Sequence, residues 1–303
     1  MSPSGTQYEI SHGDYRAVVT ESGAALRTLS HGGRDLVDGF DEDEMSPGCR
    51  GQLLMPWPNR IRDGRYTWDG AEQQLPLTEP SRSNASHGLV RWAAWTLVSQ
   101  SDSAVSLGCR LLAQSGYPWA LDLSVSYELG DDGLRVTQGA VNRSASAAPY
   151  AQGAHPYLTV GSTPVDTWEL VLPAATRSLS DPERLLPIGA EDVTGTDIDF
   201  RTARPLAGVA LDHAFTDLVR DDAGLATTSL RDPATGHGVE LWTDESQPWL
   251  MVYTGDDRPA PFRRRSVAVE PMTAQADAFN SGEDVVRLEP GASFSATWGV
   301  RAG

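Results

Sequence analysis

Apolar side chains take alternate positions through long stretches of this chain. In residues 105–111, Val105, Leu107, Cys109 and Leu111 alternate with Ser106, Gly108 and Arg110. In residues 121–129, Leu121, Leu123, Val125, Tyr127 and Leu129 alternate with Asp122, Ser124, Ser126 and Glu128. A period of two sends one set to each face of a strand, so the pattern predicts half-buried antiparallel β-strands. Asp131-Asp132-Gly133 supplies the turn into a further strand at 134–142. Strands are also predicted at 15–20 and 24–30, around the turn Glu21-Ser22-Gly23, and at 168–172, 239–242, 249–253, 285–288 and 294–300. Asp63-Gly64 and Asp69-Gly70 bracket a hairpin arm at 65–68. The acidic residues 38–44 read as a solvated loop, and only a short turn near 274–279 has helical character.

So many strands do not lie in one flat sheet. Two packed, curved sheets are expected, giving an all-β fold, a large antiparallel β-sandwich with few short helices. No fixed-period repeat, low-complexity linker or composition break divides the chain, so residues 1–303 read as a single domain.

Composition narrows the function. A net charge of −17 leaves no basic surface for nucleic acid or an anionic membrane. The one basic run, Arg263-Arg264-Arg265, reads as a solvated strand entry; were it to face a binding cleft, an anionic sugar would be worth testing. All 24 basic residues are arginine, which excludes a Schiff-base lysine, a pyridoxal-phosphate anchor and a Walker-type loop. Cys49 and Cys109 fit reduced thiols, and neither a signal-peptide core nor a membrane-length apolar run is present, so a cytoplasmic protein is expected.

Val267, Ala268 and Val269 form a short strand pattern that runs into Glu270-Pro271. Proline donates no ladder hydrogen bond, so the strand is expected to stop there and leave a carboxylate at the edge of the core. Such a charge is costly unless it is hydrogen-bonded or used. His87 precedes Gly88, and His155 precedes Pro156 with Tyr157 on the same face two residues on. No His-Glu-x-x-His, paired Cys-x-x-Cys or acidic calcium loop occurs, so no metal site is expected. Gly-x-Ser-x-Gly and Gly-x-Gly-x-x-Gly are also missing, which argues against a serine nucleophile and a dinucleotide. What remains is cofactor-free acid–base chemistry between a carboxylate and an imidazole. Asp212 offers a second carboxylate, Asn59 and Arg60 offer donors for sugar hydroxyls, and Trp57 and Trp249 offer apolar platforms for a pyranose. Two alternatives stand beside it: a glycoside hydrolase with Asp212 and Glu270 as its carboxyl pair, and a non-catalytic carbohydrate-binding protein that keeps the tryptophan platform without depending on Glu270 and His155.

Taken in order, Asn59-Arg60 after Pro58, His87-Gly88, His155-Pro156-Tyr157, Asp212 in Leu-Asp-His-x-Phe, and Glu270 with Asp277-Ala278-x-Asn280 resemble the aldose 1-epimerase (galactose mutarotase) family. The resemblance runs from about Gly23 to Gly291. It implies a β-sandwich of the galactose-mutarotase type, no cofactor, a monosaccharide substrate and interconversion of its α and β anomers. By position it makes Glu270 the general base and His155 the general acid, with Asn59, Arg60, His87 and Asp212 holding the sugar. Gln275-Ala276 stands where the family often has a proline before Asp-Ala-x-Asn, and Trp57 and Leu158 stand where Tyr and Phe are common.

Overall fold

The computed structural model describes residues 2–303. Two large antiparallel sheets carry the molecule. The first has nine strands, in the order Thr96–Gln100, Ala104–Leu111, Leu121–Gly130, Gly133–Asn142, Ser293–Ala302, Gly238–Thr243, Ala226–Arg231, Glu169–Val171 and Arg204–Pro205. The second has eight: Pro187–Asp192, Ala174–Ser180, Asp212–Leu218, Trp249–Tyr253, Val267–Met272, Gly153–Ala154 and Leu53–Leu54, with Tyr157–Leu158 also pairing on Val267–Met272. A four-stranded meander, Gln7–His12 to Arg34–Asp35, precedes them.

The alternation that predicts the strands is the alternation that buries them. Leu121–Gly130 buries Leu121, Leu123, Val125, Tyr127 and Leu129 and turns the residues between them outward. It pairs with Gly133–Asn142 from Leu121↔Asn142 to Gly130↔Gly133, closing on the two-residue turn Asp131-Asp132. Apolar residues of both large sheets, Leu123 and Val136 from one and Phe215, Val252 and Val269 from the other, join one buried cluster. Trp298 donates its indole N–H to Gln138 Oε1 at 2.9 Å in that interior. Fold class and sheet architecture are as the sequence predicts.

Three local expectations change. The Val267–Met272 strand does not stop at Glu270, because Pro271 still pairs with Leu250. On its other side the ladder is interrupted: Tyr157 and Leu158 pair with Ala268 and Val267, then Gly153 pairs with Met272. Glu270 and Pro271 face the gap between these partners, where a residue without an N–H is tolerated. Asp38, read as solvated, is buried and paired with Arg50 at 2.9 Å and Arg265 at 2.7 Å. The helical turn lies later than expected, at Ala278–Ser281. Among the described residues, no helix is long and apolar enough to cross a membrane.

Candidate active site

The interruption in the ladder places the imidazole. His155 leaves the sheet between Ala154 and Pro156, its N–H bonded to the Gln52 carbonyl at 3.0 Å and its own carbonyl accepting from Gly51 N–H at 2.9 Å. The Val269 N–H bonds the Pro156 carbonyl at 3.2 Å, which brings the segment against the Glu270 strand. His155 Nε2 then lies 3.2 Å from Glu270 Oε1, with both residues buried.

The neighbouring strands supply the face on which Glu270 sits. Glu270 is opposite Met251, and Met251 is opposite Ala214, so these three side chains share one side of the sheet. Asp212 lies two residues before Ala214 and therefore points the same way. Trp249, Met251, Ala214 and Met272 form a separate small apolar cluster on this face.

A left-handed turn delivers the remaining groups. Asn59 and His87 have φ of 53° and 60°, and the His87 N–H bonds the Asn59 carbonyl at 2.7 Å. Gly88 follows at φ 70°, where a Cβ would stand 2.0 Å from the Met55 carbonyl oxygen, so only glycine fits. Arg60 pairs in register with Ser86. Its guanidinium grips Glu79 at both edges, Nε to Oε2 at 2.7 Å and Nη2 to Oε1 at 3.0 Å. The Asp277 N–H bonds the Arg60 carbonyl at 2.6 Å, and its carboxylate accepts from the Arg62 N–H at 2.9 Å and from Asn280 at 2.7 Å. The Asp277–Asn280 pair thus locks the strand that carries Arg60.

Support for His155 comes from a stack. Tyr157 lies parallel to its ring, 5.0 Å between centroids, and the Arg50 guanidinium covers Tyr157 at 4.4 Å. The Tyr157 hydroxyl donates to the Gly48 carbonyl at 3.1 Å. His87 meets His155 edge to face at 5.6 Å. Trp57 is only 2% exposed and packs edge-on against Phe279, and Trp249 donates its indole N–H to Asp284 at 2.7 Å. Tyr157 and Trp57 are thus placed to back the site, not as open stacking faces for a sugar.

Burial sets the charges. Glu270 is held well above the usual carboxyl range, first by burial and then by Asp212, against the pull of Arg60. His155 is pushed down to about 3 by burial, with Arg50, Arg91 and Arg258 adding to the effect and a backbone hydrogen bond opposing it. Asp212 is raised by burial and lowered by Arg60. Burial therefore outweighs the mutual attraction that sequence alone suggests for a Glu270–His155 ion pair. Both shifts favour the neutral forms, a carboxyl group and an imidazole.

Four residues of this neighbourhood carry no motif in the sequence. Cys49 lies with its Sγ within 4.8 Å of a ring nitrogen of both His87 and His155. That donor set suits a soft metal, yet Arg91 donates to Sγ at 3.0 Å and burial keeps the thiol protonated, both of which oppose a cation. Arg91 and Arg258 flank His155 with no carboxylate partner among the described residues. Glu79 is the fourth. The run Arg263–Arg265 instead lines a separate groove of about 910 Å³, where Arg264 pairs with Asp166 and Asp256 and Arg265 with Asp38. A hollow of about 10 Å³ lies between Asn59, Arg60 and Asp212.

The chain is similar to known proteins over nearly its whole length. The family model for aldose 1-epimerase matches residues 6–301. The uncharacterized protein YihR of Escherichia coli K12 is 36% identical over 96% of this chain and 91% of its own length. A galactose mutarotase of Rattus norvegicus is 28% identical over 87% of this chain and 83% of its own. A GalM/aldose epimerase homologue of C. elegans superposes with a TM-score of 0.87 at 20% identity, covering 98% of each chain. A sandwich of this topology, with a buried carboxyl against an imidazole, and a family match over nearly its whole length lead to one assignment: the chain belongs to the aldose 1-epimerase family.

Proposed function

We propose that this protein is a mutarotase, interconverting the α and β anomers of a free aldose in the cytoplasm by cofactor-independent acid–base ring opening and closure. The observation that carries the reading is the 3.2 Å contact between Glu270 Oε1 and His155 Nε2 on the face that also bears Asp212. The reaction needs a base at the C1 hydroxyl and an acid at the ring oxygen. In the neutral forms that burial favours, the pair holds the single proton required. Moving it from Oε1 to Nε2 creates carboxylate and imidazolium without exchange with solvent, and the hemiacetal takes the place of the direct contact. Glu270 removes the C1 hydroxyl proton while His155 protonates the ring oxygen. The C1–O5 bond breaks, the C1–C2 bond rotates, and the ring closes on the other carbonyl face as both protons return. Asn59, Arg60, His87 and Asp212 hold the hydroxyls, and Tyr157 and Trp57 back the site.

Polarimetry on freshly dissolved α-glucose and α-galactose tests this. Faster decay of rotation at unchanged sugar composition supports it. Release of reducing sugar from a glycoside would favour the hydrolase, and saturable binding without acceleration the binding protein. A second substrate reading within the same site rests on Arg91 and Arg258: guanidinium groups without carboxylate partners beside His155 suit a sugar bearing an anionic group. Weaker activity on charged aldoses than on neutral ones in the same assay removes it.

A further inference from the structure

Glu79 stands at the entry of the turn Pro80–Arg82, between the strands Arg60–Arg62 and Asn84–Ser86. Both of its oxygens are occupied by protein. Oε2 accepts from Arg60 Nε at 2.7 Å and from Asn84 Nδ2 at 3.4 Å, and Oε1 accepts from Arg60 Nη2 at 3.0 Å with Arg82 Nε 3.5 Å away. A carboxylate so engaged has little left for a sugar hydroxyl. It fixes the plane of the guanidinium instead, because two parallel N–H···O bonds permit one orientation. The opposite edge, Nη1, stays beside Asn59 Oδ1 at 3.3 Å. Asp212 and Glu270 are the other carboxyl groups that act on this guanidinium.

Resting on the function proposed above, we infer that Glu79 is a positioning residue: it fixes the sugar-holding edge of Arg60 and offsets its charge against Asp212 and Glu270. Glu270 is faced by His155, Asp212, Arg60, Tyr157 and Cys49, and Asp212 by Arg60, Asp257, His213 and Arg82. Arg60 is the near cation whose own neutralisation Glu79 controls.

Two variants separate geometry from charge. Glu79→Asp keeps the charge but falls short of the bidentate grip. KM should rise about tenfold or more, while the acidic limb of the kcat/KM profile stays in place. Glu79→Gln keeps the length but removes the charge. Arg60 then opposes a second proton on the Glu270–His155 pair more strongly, and the acidic limb should move to lower pH. Wild-type KM in the first variant together with an unmoved limb in the second overturns the inference, whatever either does to the melting temperature. Calorimetric sugar binding reads the first effect without turnover. If the wild type is inert in the polarimeter, the proposed function falls, and an unchanged Kd in Glu79→Asp then overturns the Glu79 role separately.

Discussion

Replacing Glu270 by glutamine tests the proton pair in two independent ways. The amide keeps the shape of the side chain beside His155 Nε2 but cannot exchange a proton. A general base or acid is typically worth about 10²–10⁴ in rate, which is roughly 2.7–5.4 kcal/mol of activation free energy. Glu270→Gln should therefore lose at least about a hundredfold in kcat/KM for mutarotation. The second readout is stability against pH. In the folded state burial raises Glu270 above its ordinary value of 4.5 and lowers His155 from 6.5 to about 3. Between 4.5 and 6.5 the two shifts oppose each other: the raised Glu270 makes stability fall as pH rises, the lowered His155 as pH drops. Above pH 6.5 only Glu270 contributes, and its raised value makes stability fall as pH rises through it, by up to about 1.4 kcal/mol per unit. Below 4.5 the unfolded pair gains a second proton, and stability falls as pH drops toward about 3. Glu270→Gln should remove the loss that accompanies ionisation of Glu270 and make the variant relatively more stable on the alkaline side. Thermal melts across pH, alongside polarimetry, check both. A folded variant within about tenfold of wild-type rate, or one whose alkaline stability loss is unchanged, refutes the reasoning.

His155→Ala should lose nearly all mutarotation while circular dichroism still reports a β-sheet fold; a rate close to wild type would remove its role as acid. His155→Gln should lessen the decline in stability between pH 4.5 and about 3, because the depressed imidazole is the group that must charge there, and melts at low pH check this. Gly88→Ala should destabilise by about 2 kcal/mol or more, since φ is 70° and its Cβ would meet the Met55 carbonyl oxygen; denaturant unfolding at wild-type stability would contradict the required turn.

The strands were legible because each buries one face, as in Leu121–Gly130, and period two survives into the sequence wherever that holds. That Glu270 and His155 face each other was legible through their proline neighbours and the order of motifs. The continuation of the strand through Pro271 was not, because it depends on the partner ladder breaking near His155. Asp38 looked solvated because its partners Arg50 and Arg265 are distant in sequence. Glu79, Cys49, Arg91 and Arg258 leave no spacing pattern, and only the folded chain gathers them. The direction in which the acidities of the pair shift also escaped the sequence, since burial is the largest cause for both groups.

Val269 and Glu270 are consecutive and point to opposite sides of one strand, the first into the interior and the second toward His155. A slip of that strand by a single position would exchange them, taking the carboxyl group away from His155 and driving it into hydrocarbon. Correct packing and the Glu270–His155 contact are therefore one requirement here, so a well-packed misregistered form is closed to this sequence.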